Sequence, residues 1–370
     1  MMRPTPSMYL MGILLLTCVS VAQVPGAWTA TGSMATPRYA FTAVPLPDGR
    51  VLAAGGLGST GALASAELFE PLTGTWSPAG NMKVARAYYV ATRLRNGKVL
   101  VAGGCTNTNC SAATATAEIY DPATGVWRAA GRMSMLRYFF AATVLKDGTV
   151  LVEGGCNKVN CGTVTTAAEL FNPQTGRWTL TGNLKIARDY HTASALQNGK
   201  VLVTGGYTIT GGSNSVELYD PTTGTWTSVA SMISGRALHS ATTLFDGRVV
   251  VAGGVVGYLP GDVSEVYDPG VNSWSATGNL NIKRAGPSSV RLKNGAVMLA
   301  GGYSYTRPYY FDLASCESLD VTASTWALVG DMTSRRYLHA LTLLPDGRVL
   351  AAGGLSDNST ILANAELYTP

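Results

Sequence analysis

Short apolar, β-prone runs separated by turn residues recur along the whole chain. In one stretch, residues 188–196 are apolar and β-prone, and Asn198-Gly199 follows as a hairpin turn. Residues 201–206 give a second run ending in Gly205-Gly206, and Val216 to Tyr219 a third. Asp220-Pro221 to Gly224 is turn chemistry, and Thr225-Trp226 opens a fourth run. Four antiparallel strands are therefore expected per unit. The unit repeats: Gly-Gly stands at 55, 103, 154, 205, 253, 301 and 353, in steps of 48, 51, 51, 48, 48 and 52 residues. A period near 50 indicates an array of four-stranded blades, each unable to bury its own faces. The pattern predicts an all-β, seven-bladed β-propeller.

The punctuation recurs as well. First-hairpin turns are Asp48-Gly49, Asn96-Gly97, Asp147-Gly148, Asp246-Gly247, Asn294-Gly295 and Asp346-Gly347. Fourth-run tryptophans stand at 76, 127, 178, 226, 274 and 326, six against seven Gly-Gly pairs. The seventh tryptophan is Trp28, ahead of the first unit, and the last unit stops at Tyr368. The N-terminal segment is thus expected to supply the outer strand of the last blade, with Trp28 in its slot. Such closure removes open sheet edges, and removing residues 23–36 is expected to destabilise the whole ring. The expected organisation is one domain over 23–370, with units near 37–84, 85–135, 136–186, 187–234, 235–282, 283–334 and 335–370 plus 24–36.

These elements resemble the kelch repeat: an arginine near the first strand, Gly-Gly ending the second, Glu-x-Tyr in the third and tryptophan in the fourth. The resemblance covers nearly all of residues 24–370. It implies a β-propeller with the first strand of each blade nearest the axis. It also implies partners ranging over peptides, actin and sugars, with a few enzymes.

Composition adds the compartment. Residues 1–3 carry positive charge, 9–21 are apolar, and Ser20-Val21-Ala22 offers small residues, which reads as a secretory signal peptide cut after Ala22. About 13 apolar residues are too few to span a bilayer, and no membrane span is expected elsewhere. Leu15 to Cys18 also resembles a lipobox, an alternative that would anchor the chain through Cys18. Cys105 and Cys110, and Cys156 and Cys161, occupy equivalent polar loops in adjacent units. Two local disulfides are the expected reading in an oxidising compartment, with a four-thiolate metal site as the rival; Cys316 is left over as a buried thiol. The net charge of +5, with no basic run, argues against a nucleic-acid partner. Asn109 and Asn358 sit in glycan-acceptor patterns.

Candidate chemistry lies in columns of the repeat. Arginines open the units at 38, 86, 137, 188, 236, 284 and 336, and glutamates recur in the third strand at 67, 118, 169, 217, 265, 317 and 366. They either pair structurally or leave arginines such as Arg188, Arg236 and Arg336 at the channel mouth for carboxylate, phosphate or sulfate. In kelch proteins that bind acidic peptides, arginines at this position contribute to such a pocket. Three residues after the arginine stand Phe41, Tyr89, Phe140, His191, His239, Pro287 and His339. A structural hydrogen bond is the default for these histidines, and metal binding by His191, His239 and His339 together the alternative. Tyr190-His191 is similar to the pair by which galactose oxidase and its relatives hold copper. Those enzymes add a histidine from a domain after the propeller and a Cys–Tyr crosslink; no such domain is expected here, and Cys316 is expected in an outer strand away from the axis.

The sixth unit departs most, with Tyr303, Tyr305, Arg307, Tyr309 and Tyr310 in its loop and Gly286-Pro287 in its first strand. This cluster suits stacking on sugar rings or peptide recognition; Tyr138-Phe139-Phe140 reads as core. The expected function is a secreted, non-catalytic recognition module for an extracellular protein, peptide or glycan, with no cofactor or metal. The alternatives are a secreted enzyme acting on carbohydrates or alcohols, distantly like galactose oxidase, and a self-associating surface protein.

Overall fold

The computed structural model describes residues 26–357 and 359–370. The expected signal peptide, its cleavage site and Cys18 lie outside the described residues, as does Asn358. Among the described residues there are seven four-stranded antiparallel sheets. Blade 4 shows the pattern: Thr192–Ala195, Val201–Thr204, Val216–Asp220 and Thr225–Val229 pair in that order. The second strand of every blade is buried at all four positions, from Val51–Ala54 to Val349–Ala352. Such strands are covered on both faces, which is why they read as unbroken apolar runs.

The blades form a closed cycle. Each first strand neighbours the first strands of the blades before and after it, and Thr42–Pro45 of blade 1 lies against Ala340–Leu343 of blade 7. Ala27–Thr31 pairs antiparallel with Ala365–Thr369, so the N-terminal segment is the fourth strand of blade 7. Trp28 is 7% exposed, and its ring centroid lies 5.3 Å from that of Tyr368. Indole N–H groups stitch neighbouring blades: Trp127 donates to Ala79 O of blade 1 (3.0 Å) and Trp226 to Gly182 O of blade 3 (2.7 Å). The same stitch crosses the junction of the two chain ends, where Trp76 of blade 1 donates to Gly32 O (2.9 Å).

Each motif arginine is a clamp. Arg188 donates to Gly205 O (2.5 Å) at the end of the second strand, to Ser215 O (3.1 Å) before the third, and to Glu217 Oε1 (2.9 Å) within it. Glu217 also accepts from the Lys185 and Ile186 amides (2.7 and 3.1 Å), which fixes the segment entering the blade. All seven Arg–Glu pairs form, at 2.5–2.9 Å, and all seven arginines are 0% exposed. Gly-Gly is required beside the clamp. Gly205 takes φ +62, and a Cβ there would stand 2.5 Å from the Arg236 carbonyl oxygen.

One prediction follows from the closure. Trp28→Ala is expected to cost about 3 kcal/mol, as for other large-to-small core changes, and as much as Trp326→Ala in the equivalent slot of blade 6. Urea midpoints of the two variants test this; an unchanged midpoint for Trp28→Ala would show that the N-terminal strand is dispensable.

Candidate functional site

The site is built on the second residue after each arginine: Ala40, Tyr88, Phe139, Tyr190, Leu238, Gly286 and Leu338. All seven take positive φ, between 49° and 59°. This turns each peptide towards its neighbour. The Tyr88 amide donates to Ala40 O, Phe139 to Tyr88 O, Tyr190 to Phe139 O, Leu238 to Tyr190 O, Gly286 to Leu238 O and Ala40 to Leu338 O, at 2.8–3.3 Å. These six bonds run around the ring, open between Gly286 and Leu338, at one end of the channel, where first strands begin and second strands end. None of the seven residues is β-branched, as a left-handed backbone demands.

The side chains on this frame are unequal. Phe139 stacks on Tyr190 at 4.1 Å between centroids, and Tyr88 meets Phe139 edge-on at 4.6 Å. Blades 1, 5, 6 and 7 place only Ala40, Leu238, Gly286 and Leu338 on the frame. Tyr337 fills the gap at Gly286, where a Cβ would lie 2.6 Å from its ring. This explains why the sixth unit carries glycine there. Tyr337 in turn meets Tyr303 edge-on at 4.9 Å. Beneath the frame lies a cavity of about 250 Å³ walled by Phe41, Tyr190, His191, His239, Pro287 and His339. A larger hollow of about 700 Å³ lies at the opposite end of blades 5 and 6, between turn residues such as Phe245, Asn294 and Thr322.

The sixth-blade loop is a hairpin, Tyr303–Thr306 against Tyr309–Asp312. Tyr310 packs on Tyr305 (4.7 Å) and Tyr303 (5.8 Å), while Tyr309 and Tyr310 remain 74% and 59% exposed. Arg307 is exposed near its tip. The hairpin therefore continues the aromatic wall outward from Tyr337. Arg188, Arg236 and Arg336, by contrast, are spent in the buried clamps; the expectation that they reach a ligand at the mouth is corrected. The aromatic cluster of the third unit divides: Tyr138 and Phe140 are buried, whereas Phe139 stands half-buried at the mouth.

The histidines line the cavity without converging on a metal. His239 Nε2 bonds Thr192 and Thr204 hydroxyls, both at 3.0 Å. Burial holds His191 and His339 down to about 3, so both rings are neutral. Among the described residues, the one group of three His, Cys, Asp or Glu ligand atoms within 4.8 Å of one another is Cys156, Cys161 and Asp189. Cys156–Cys161 and Cys105–Cys110 lie at disulfide distance, with Cα separations of 5.0 and 4.9 Å. Cys316 packs with Trp28, far out in its blade, so among the described residues no cysteine stands free beside Tyr190. These donors do not fit a copper site with a Cys–Tyr crosslink.

Glu153 was missed by the motif reading. It precedes Gly-Gly, where the other blades carry Ala54, Ala102, Thr204, Ala252, Ala300 and Ala352. It is fully buried, both carboxyl oxygens lack a hydrogen-bond partner, and Oε1 lies 3.9 Å from His191 Nε2. Burial pushes its carboxyl well above the usual range, against the opposing pull of Arg137.

The Kelch motif model matches residues 38–83 and 86–134, and the KLHDC2/KLHL20/DRC7 Kelch-repeats domain model matches residues 140–354, more than half of the chain. The chain belongs to the kelch-repeat family. No curated protein matches it. Among solved structures, this kelch ring is similar to a fungal alcohol oxidase of the AA5 family in complex with copper. The TM-score is 0.77 at 17% identity, covering 93% of this chain and 76% of that one. At that identity the likeness is one of fold.

Glu153 generates a prediction on pH. A carboxyl raised in the folded state stabilises fully below its unfolded value near 4.5, and that contribution is lost as pH rises through the folded value. Glu153→Gln keeps the volume and removes the titration. It is expected to gain on the wild type between pH 5 and pH 8 in urea midpoint; parallel profiles would show that Glu153 does not titrate on unfolding.

Proposed function

We propose that this kelch ring is an exported, non-catalytic recognition module whose ligand seats on the aromatic mouth of the channel. The observation that carries the reading is the convergence of tyrosines from separate blades at one end of one ring. Tyr88, Tyr190 and Tyr337 belong to blades 2, 4 and 7, with Phe139 of blade 3 between the first two, and the Tyr303 hairpin of blade 6 extends the wall. Rings held by a hydrogen-bonded frame are rigid contact surface, and large aromatic side chains carry most of the energy where partners dock. The cavity beneath is wide enough to admit the end of a ligand, a sugar ring or a peptide side chain. Export is supported by the N-terminal pattern and by two cysteine pairs at disulfide distance. Among the described residues no helix is long and apolar enough to cross a membrane.

The second reading, an alcohol-acting copper enzyme, has in its favour Tyr190-His191 on the cavity wall. Metal analysis separates the two: stoichiometric copper on the isolated protein would favour the enzyme.

For the recognition reading, residues 23–370 are to be screened on glycan and peptide arrays. A hit is expected to weaken about ten-fold or more in Tyr337→Ala, as for a central aromatic contact, and to persist in Lys200→Ala on the opposite end of blade 4. A hit unaffected by Tyr337→Ala and by Tyr190→Leu would place recognition elsewhere on the ring.

A further inference from the structure

We infer that the ligand of this mouth presents a cationic head, a protonated or methylated amine held against the tyrosine faces. The inference rests on the recognition reading above and names its ligand class.

The charged groups that act on the mouth tyrosines are acidic. The seven motif arginines, which outwardly promise an anion site, are wholly buried and paired. The groups that act electrostatically on Tyr190 are Tyr88, Tyr337, Asp189 and Tyr207; those on Tyr337 are Tyr303, Tyr88, Asp312 and Tyr207; those on Tyr207 are Asp189 and Tyr310. Burial pushes the phenols of Tyr88, Tyr190, Tyr207, Tyr303 and Tyr337 up, so they are neutral, and the charged members of this set are the carboxylates of Asp189 and Asp312. Two arginines stand on the blade 6 and 7 side of the rim: Arg335, engaged with Asp357 at 3.5 Å and acting also on Asp312, and Arg307, exposed at the hairpin tip.

Asp189 sharpens the point. It is 5% exposed, and its Oδ1 has no hydrogen-bond partner. Its Oδ2 faces Cys156 and Cys161 Sγ at 3.1 and 3.3 Å, sulfurs that carry no proton when joined to each other. The equivalent position of the preceding blade is Tyr138, so the acid is particular to this blade. Asp312, half-buried at the foot of the hairpin, likewise forms no ion pair among the described residues. Burial raises both carboxyls to about 6, so both are largely ionised at neutral pH and gain from a cation brought near.

The geometry supplies the other half. Aromatic faces attract a cation within about 6 Å of the ring centroid, most strongly where water is excluded. The rings of Tyr190 and Tyr337 reach the mouth from opposite sides of the frame, with Tyr207 edge-on to Tyr190 at 6.3 Å. A compact alkylammonium group is attracted by these ring faces, whereas an anion meets the negative faces and the carboxylates of Asp189 and Asp312. The shared chemistry is the ammonium head, whether on a free small molecule or on a lysine side chain of a peptide.

The test is calorimetric titration of residues 23–370 with choline and with its uncharged isostere, 3,3-dimethylbutan-1-ol. Choline is expected to bind about ten-fold more tightly than the isostere. Tyr190→Leu is expected to abolish that preference; leucine already occupies the same backbone position at Leu238 and Leu338, so this variant folds. Tyr190→Phe is expected to retain it, and Asp189→Asn to reduce it several-fold. A trimethyl-lysine peptide binding more tightly than choline would assign the head to a protein partner, and the reverse order to a small molecule. Equal affinity for choline and the isostere, or no choline binding at millimolar concentration, overturns the inference. A neutral glycan whose binding depends on Tyr337 overturns it while leaving the mouth as the site. Only a ligand mapping away from Tyr190 and Tyr337 removes the recognition reading itself.

Discussion

The buried arginine–glutamate clamp is the interaction on which the ring depends. One guanidinium ties the end of the second strand, the start of the third and a carboxylate within it, while the carboxylate holds the segment arriving from the preceding blade. Desolvating both charges is costly, and burial lowers the Arg188 proton affinity despite the Glu217 charge beside it. The cost is offset in part by the charge-assisted bonds from the two terminal guanidinium nitrogens, although Nε of Arg38, Arg86, Arg137, Arg284 and Arg336 is buried without a partner. Losing one member would strand the other in the core, at about 3–5 kcal/mol. Seven such clamps set seven blades at the same pitch, and the closed channel follows from that repetition.

The clamp also decides where function can reside. It takes the most chemically versatile residue of the repeat out of contact with solvent, so recognition falls to positions the clamp does not use. The two residues after each arginine are such positions, and the loop after Gly-Gly is another. At these places the blades differ: tyrosines on one side, alanine, leucine and glycine on the other, and one hairpin that rises above its neighbours. The fold is symmetric because its polar core repeats; the mouth is asymmetric because its rim does not.

Architecture was legible from the chain because its determinants are local and repeated. Asn198-Gly199, Gly205-Gly206 and Trp226 each mark a turn or a packing slot, and Trp28 announced the closure by its isolation. The sixth-unit tyrosines were legible as an unusual loop, though not as part of the channel mouth. That required knowing that Tyr337, 51 residues from Gly286, lies over it. The arginines misled for a physical reason: a charged residue in a repeated column reads the same whether it faces solvent or a buried glutamate. Glu153 escaped because it sits in a column of five alanines and a threonine, where only comparison between blades exposes it. The left-handed frame escaped because positive φ at tyrosine or leucine has no compositional mark, unlike glycine.

The frame has a consequence for how such a mouth diversifies. Its hydrogen bonds run through backbone amides and carbonyls alone. Side chains at the seven positions already range from hydrogen to an indifferent methyl to a phenol with no change in the peptide path. Evolution, or a protein engineer, thus has six addressable pixels around one aperture, the seventh, Gly286, being held to glycine by the Tyr337 ring that lies over it. At the other six the sequence tax is the exclusion of branched residues at Cβ. A ring of this kind can be retargeted by rewriting a handful of letters while the scaffold that carries them stays the same.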